Sequence, residues 1–396
     1  MSNTVKLKDV CEFKRGLTYS KKDEVDYSNN VVVRATNIDL KTNKLNLAQL
    51  KYIKESIKIN EDKILKKGDI LICTASGSKS HLGKVALIDK DIKMAFGGFM
   101  GVLRTSEKCL PKFLCNILVS QKFKKVLLSN TSGANINNLR FSQIENFEFM
   151  LPSLPEQQRI VVKLDTSFAE IDMTINKVQK LIENTNLLFE KKIKQYFIDN
   201  VTNAPFVKLS DISEYFNGLT YSPKDVSENG IIVLRSGNIQ NGKMEYSDIK
   251  RVNKKIKDKL YVKPSDLLIC SRNGSQRLIG KSSLIGEIKE PMTFGTFMMI
   301  VRSEHNKYLQ WFIKSKLFKK QIIKGENTMI NQITRYMLDD ISLPFPDKKI
   351  YSKIVKELEE LDGHVRILNK ILNIKIDNFK KLKSSILKQE LLNKVA

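Results

Sequence analysis

Apolar residues along this chain follow two rhythms that alternate. From residue 5 to about 150, short apolar runs such as Val31 to Val33, Ile70 to Cys73 and Met100 to Leu103 are separated by clusters of Gly, Asn, Ser and Lys, the pattern of strands and turns. Ile160, Leu164, Phe168, Ile171, Ile175, Val178, Ile182 and Phe189 then recur mostly in steps of three and four, which gathers them on one face of a long helix. Ser153-Leu-Pro-Glu156 opens that helix with capping-box spacing and a proline in the first turn, where its missing N–H does no harm. The helix is expected to run to about Asn200. The strand-and-turn rhythm returns from Val207 to Leu343, and a second helical stripe follows through Ile354, Leu358, Leu361, Val365, Leu368, Leu372, Ile376, Phe379 and Ile386, with Asp347 as its candidate N-cap. About 40 helical residues make a rod of roughly 60 Å. Two such rods can hide their stripes by pairing as a coiled coil; the alternative is that each stripe packs on its own β-rich domain.

The alternation arises because the chain is written twice. Val5-Lys-Leu-Lys-Asp-Val10 returns as Val207-Lys-Leu-Ser-Asp-Ile212, and Gly16-Leu-Thr-Tyr-Ser20 as Gly218-Leu-Thr-Tyr-Ser222. Arg34 with Asn37-Ile38 matches Arg235 with Asn238-Ile239, and Asp69-Ile-Leu-Ile-Cys73 matches Asp266-Leu-Leu-Ile-Cys270. Phe96-Gly97, Phe99-Met100 and Arg104 answer to Phe294-Gly295, Phe297-Met298 and Arg302, and Ile160-Val161 to Ile354-Val355. Two copies of one unit are therefore predicted, with boundaries at 1–150, 151–203, 204–343 and 344–396.

Charge narrows the partners. The 396 residues include 68 Lys and Arg against 43 Asp and Glu, a formal net charge of +25, which calls for a polyanionic partner. No apolar stretch approaches the ~20 residues of a membrane span, and Met1 to Asp9 carries Lys and Asp where a secretion signal needs an apolar run. A cytoplasmic protein with no membrane partner is expected. Five scattered cysteines without a C-x-x-C pair fit a reducing compartment, and three distant histidines (His81, His305, His364) provide neither metal-ligand spacing nor the usual acid–base chemistry. No metal site and no catalytic residue is expected.

The junction Leu151-Pro-Ser-Leu-Pro-Glu-Gln-Gln-Arg-Ile-Val161, a proline-punctuated turn opening a long helix after a β-rich domain, resembles the specificity subunits of Type I restriction-modification enzymes. The resemblance spans the whole chain. It implies an α+β fold: two similar β-rich target-recognition domains separated by two long antiparallel coiled-coil spacer helices. It further implies a non-catalytic subunit that reads a bipartite target in double-stranded DNA with a fixed gap. Methylation then falls to modification subunits, two of them, carrying S-adenosylmethionine, and cleavage to restriction subunits carrying ATP and Mg, so that no cofactor is bound by this chain. The second junction, Pro344-Phe-Pro-Asp-Lys-Lys-Ile350, lacks the Glu-Gln-Gln of the first.

The physics supports the same layout, since two similar readers on a stiff strut select two short sequences at a set spacing. Candidate DNA contacts are loops that recur while their polar residues differ. Lys14, Arg15, Thr18 and Tyr19 answer to Thr220 and Tyr221; a groove-facing turn and a structural turn with a packed Tyr both remain open. Lys79 and Ser80 in the loop Thr74 to His81 answer to Arg272, Asn273, Gln276 and Arg277, side chains that bond bases or phosphates. Arg34 and Arg235 are further candidates, against the alternative of surface ion pairs. The loops Asn135 to Arg140 and Asn331 to Arg335 add Arg140 and Arg335, against plain turn chemistry.

Three motifs offer enzymatic readings. Gly274-Ser-Gln-Arg-Leu-Ile-Gly280-Lys281-Ser282 resembles a P-loop, but five residues separate glycines that need four between them. Phe96-Gly-Gly-Phe-Met-Gly101 hints at a methyl-donor loop, yet its counterpart loses two glycines, and strand packing is the simpler account. Asp266 with Glu287-Ile-Lys289 matches the loose spacing of metal-dependent nucleases. The rival from another class is a coiled-coil scaffold whose basic domains bind proteins or membrane surfaces without any DNA sequence preference.

Overall fold

Ile-Leu-Ile-Cys at residues 70–73 is an uninterrupted apolar run because both faces of that strand are buried. Ile70 and Ile72 point into a core shared with helices, while Leu71 and Cys73 point into a second core with Val33, Phe96, Met100 and Val102. Leu267 and Ile269 against Leu268 and Cys270 repeat the division. The computed structural model describes residues 3–40, 42–76, 81–130, 138–199, 204–323 and 332–392. The chain divides into two units, Met1–Val178 with Ile374–Ala396, and Gln179–Asn373.

In the first unit an antiparallel sheet runs Cys11–Arg15, Met100–Thr105, Ile70–Cys73, Val85–Leu87, in register Val102 opposite Lys14 and Leu71. A second sheet runs Ala95–Phe96, Asn30–Val33, Lys51–Ile53, Glu24–Val25, its first pair parallel. The second unit builds the same pair: Glu214–Asn217, Met298–Arg302, Leu267–Cys270, Ser282–Leu284, and Met292–Phe294, Ile231–Leu234, Lys250–Val252, Val226–Ser227.

Each unit also contains short helices that the strand-and-turn reading did not anticipate: α1 (Pro111–Val119) and α2 (Gln121–Asn130) in the first, and α4 (Leu209–Ile212), α5 (Asn306–Lys314), α6 (Lys316–Ile322) and α7 (Arg335–Asp339) in the second. The long helices are α3 (Leu154–Lys194), followed by a π-helical turn Gln195–Asp199, and α8 (Lys348–Leu392). α1 buries every residue from Phe113 to Leu118. At 9 residues it is an apolar run too short to be told from a strand by periodicity alone.

Within the first unit, Ile160, Val161 and Leu164 of α3 and Leu387 of α8 join one core with Phe113, Leu114 and Phe123. Lys383 reaches Asp172 at 2.8 Å and lies over the Phe168 ring, and Glu390 meets Lys163 at 2.6 Å. Within the second unit, Tyr196 bonds Glu357, and Asn369 donates to Asn186 at 2.9 Å. Residue numbers rise along α3 as they fall along α8 in both places, so the helices run antiparallel. Each stripe serves two neighbours, the opposite helix and the adjoining β-rich domain.

The two helix entrances use different chemistry. Gln157, buried, accepts from Leu110 N and donates to Lys108 O and Pro152 O, all within 2.9 Å. In the second unit Tyr351 takes the corresponding place, bonding His305 Nδ1 at 2.8 Å and packing on Tyr308 and Phe345. The missing Glu-Gln-Gln is thus replaced by an aromatic cluster.

All five cysteines are buried and unpaired. Burial pushes the Cys11 and Cys109 thiols up to about 12 and Cys73 and Cys115 to about 11, so almost no thiolate exists at neutral pH. A thiol-reactive disulfide reagent at pH 7.5 is expected to label fewer than one cysteine per folded chain and all five after denaturation. Rapid labelling of the native protein contradicts this burial.

Candidate nucleic-acid interface

In each unit backbone hydrogen bonds link four loops in a row. Gly16 N donates to Met100 O and Leu17 N to Phe96 O, which binds the Gly16–Ser20 loop to the turn between the strands Ala95–Phe96 and Met100–Thr105. Thr74 N and Ala75 N both donate to Phe99 O, and Leu139 N donates to Thr74 O. In the second unit Gly218 N and Leu219 N donate to Met298 O and Phe294 O, Ser271 N and Arg272 N both donate to Phe297 O, and Ile333 N donates to Ser271 O. Loops read as separate candidates in the sequence therefore form one surface.

The recurring glycine explains the recurring motif. A Cβ on Gly16 would lie 2.0 Å from Gly97 O, and one on Gly218 the same distance from Gly295 O. Gly-Leu-Thr-Tyr-Ser is thus a close backbone approach joining two sheets, with Thr18 and Thr220 exposed at its tip. Tyr19 and Tyr221 are half-buried against the small cores beside Val32 and Val233, which favours the structural reading of these tyrosines. Burial raises the Tyr19 pKa, with Glu24 adding to the shift and Arg34 opposing it.

The other candidates divide by environment. Arg15, Arg140, Arg272, Gln276, Arg277 and Arg335 are exposed. Lys14 pairs with Glu12 at 2.8 Å, and Arg235 with Asp248 at 3.0 Å. The Nε atoms of Arg34 and Arg235 are buried and have no acceptor among the described residues. Asn273 is turned inward, donating to Ser236 Oγ and accepting from Ser275 N. Lys79 and Ser80, with Asn135 and Asn331, lie outside the described residues. Backbone bonds make Leu139 the equivalent of Ile333, so Arg140 corresponds to Thr334 and not to Arg335.

Sequence reasoning missed Lys63 and Lys254, whose ammonium groups donate to Arg15 O and Thr220 O and so place cations beside the Gly-Leu-Thr-Tyr-Ser tips. It also assigned the whole Phe96–Met100 turn to strand packing. Phe96 and Phe294 are fully buried, but Phe99 is 72% and Phe297 53% exposed. The signal available was the repetition itself, an aromatic kept on both sides of a glycine turn in both copies.

The enzymatic motifs are built into structure. Asp266 accepts from Arg302 at 2.8 and 2.6 Å and from Lys263 N, as Asp69 does from Arg104 and Lys66 N. That carboxylate is a buried anchor of the sheet. Gly280-Lys281 leads into the strand Ser282–Leu284 and not into a helix, and Lys281 donates to Ser236 O, so the helix N-terminus that cradles phosphate in a P-loop is missing here.

Residues 2–184 and 202–376 both match the Type I restriction modification DNA specificity domain. The chain belongs to this family. Its role is DNA sequence specificity in a Type I restriction-modification enzyme, and the scaffold alternative is not favoured. Similar proteins include the Type I restriction enzyme EcoKI specificity subunit of Escherichia coli strain K12, 24% identical and covering 94% of this chain and 84% of that one. The StySPI specificity subunit of Salmonella potsdam is also 24% identical, covering 97% and 87%. Among solved structures, a chain from a study of complex assembly and conformational transition of the type I R-M system superposes with a TM-score of 0.76 at 17% identity, covering 98% of this chain and 97% of that one. The crystal structure of the HsdS subunit from Thermoanaerobacter tengcongensis gives 0.53 at 16% identity over 98% and 96%. The α+β specificity-subunit fold, with its two repeated domains and antiparallel long helices, is that of the family.

Proposed function

We propose that each β-rich domain reads one half of a bipartite duplex target, that α3 and α8 set the gap, and that this chain itself catalyses no reaction. The carrying observation is the repeated linkage of loops with different tips: Ala75 in the first unit stands where exposed Arg272 stands in the second. A shared scaffold with unlike side chains reads unlike base pairs. Exposed Arg15, Arg140, Arg272, Arg277 and Arg335, with Lys63 and Lys254, supply phosphate and base-edge contacts. Thr18 and Thr220 reach base edges.

Partner modification subunits, two per complex, supply S-adenosylmethionine and methyl transfer, while restriction subunits supply ATP- and Mg-dependent cleavage. Their docking is assigned to the long helices, where Val162, Leu188, Ile367 and Leu382 are exposed. A cytoplasmic location fits this assembly; no helix among the described residues is long and apolar enough to cross a membrane.

Methylome mapping of cells carrying the modification partner, with and without this gene, tests the reading. A split motif is expected only when the gene is present. Inserting one helical turn, ~5.4 Å, into both long helices should lengthen the gap by about one to two base pairs at ~3.4 Å each. An unsplit motif, or a gap unchanged by the insertion, contradicts the proposal.

A further inference from the structure

Among the described residues, Phe99 and Phe297 are the pair of exposed phenylalanines that the two copies share in the loop surface described above. Their neighbours show that folding does not require the rings there. Phe96 and Phe294 fill the core at the start of each turn, and Met100 and Met298 fill it at the end. The residue between needs only to turn. An apolar ring in water at that position contributes little to stability, and a polar residue would serve the turn equally well.

The backbone beneath each ring is nonetheless held firmly. Phe99 O accepts from both Thr74 N and Ala75 N, and Phe297 O from both Ser271 N and Arg272 N. Both side chains thus project from a backbone fixed by two neighbouring amides, and a phenyl ring with two rotatable bonds loses little entropy on contact. In the second unit the surroundings are cationic and hydroxylic. The Arg272 guanidinium lies 5.7 Å from the Phe297 ring centre, Thr220 and Thr296 hydroxyls meet at 3.5 Å beside it, and Lys254 is anchored on Thr220 O. In the first unit the flanking residues are Thr18, Gly98 and Ala75. A rigid apolar tip, flanked by a threonine hydroxyl in both units and by a guanidinium in the second, suits contact with a base, whose thymine methyl or exposed face is apolar while its sugar–phosphate frame is anionic.

We propose that Phe99 and Phe297 are specificity-determining residues, each touching a base of the half-site read by its own domain. The inference rests on the two-part DNA reading above and goes beyond it in assigning recognition to an uncharged pair. Because a phenyl ring displaces no counterions, its contribution is sequence-dependent and insensitive to salt, unlike that of a Lys or Arg on phosphate.

The test uses the full chain assembled with its modification subunits, in wild-type form and as Phe99→Ala and Phe297→Ala. Each assembly is measured by selection and sequencing of bound duplexes and by titration against cognate and random DNA at several salt concentrations. Each variant is expected to become degenerate at one or two positions of a single half-site, leaving the other half-site intact. Cognate affinity should fall about 10- to 100-fold, the usual cost of one lost base contact, with binding to random DNA and the salt slope unchanged. Thermal unfolding should match wild type, because neither ring belongs to a core. An unchanged motif and affinity overturns the proposal, as does an equal loss on cognate and random DNA. Weakened assembly with the modification subunits at an unaltered motif makes the ring a protein contact and equally overturns it. If wild-type assemblies select no split sequence, the two-part reading itself fails, an outcome visible before any variant is compared.

Discussion

Gly218→Ala is expected to destabilise the second unit by about 3–5 kcal/mol and to abolish recognition of one half-site while sparing the other. The atom facing the new methyl group is Gly295 O at 2.0 Å, with Gly295 C at 2.5 Å. A backbone carbonyl cannot rotate away as a side chain can, so the loop must separate from the sheet. That movement breaks Gly218 N to Met298 O and Leu219 N to Phe294 O, each worth about 1 kcal/mol net. It also strips Leu219 from its core with Val233, Val252 and Ile256, adding about 1.5–3 kcal/mol at full exposure. The melting transition of this unit should fall by roughly 10 °C, and Gly16→Ala should do the same to the first. A variant melting within about 2 °C of the parent refutes the close-approach account.

Asp266→Ala is the second large effect, expected at about 3–5 kcal/mol, because it leaves a largely buried guanidinium without its anion. Asp266 is 2% exposed and Arg302 18%. The pair does more than match charges: Asp266 accepts from Lys263 N, and Arg302 donates to Tyr261 O while lying 4.7 Å from the Phe216 ring centre. Sheet, turn and loop are joined through these two side chains. The joint substitution Asp266→Leu with Arg302→Met removes the desolvation cost together with the attraction, and should cost about 1 kcal/mol or less beyond the lost turn bonds. Urea unfolding midpoints of the single and double variants decide the matter. A single variant costing under about 1 kcal/mol would show that solvent compensates the charge. Asp69→Ala, facing Arg104 in the same geometry, should reproduce the result in the first unit.

Hydrophobic rhythm made the long helices and the buried strands legible. A helix with one apolar face imprints its period on the chain, and Ile160, Leu164, Ile354 and Leu358 all became core residues. Strands buried on both faces imprint an unbroken run, as at Ile70 to Cys73 and Leu267 to Cys270. α1 and α5 were not legible because each has only 9 residues, too short for an apolar run to be told from a strand by periodicity alone. The loops were legible as repeated text but not as roles. Tyr19 and Asn273 have residue types suited to contact, yet one packs against a core and the other braces its own turn. Phe99 has a type suited to burial, and it is exposed.

By itself, the sequence determined that the chain is a duplicated α+β unit with two long amphipathic helices and a strongly basic composition. These properties depend on periodicity, repetition and composition, which are local or additive and so survive in one dimension. Only the tertiary structure decided which repeated residues are scaffold and which are tips. Gly16 and Gly218, Asp69 and Asp266, and the phenylalanine pairs are equally repeated in the text. They separate into close approach, buried anchor, core and exposed tip only when loops distant in sequence are brought together, because exposure is a property of packing and not of residue type.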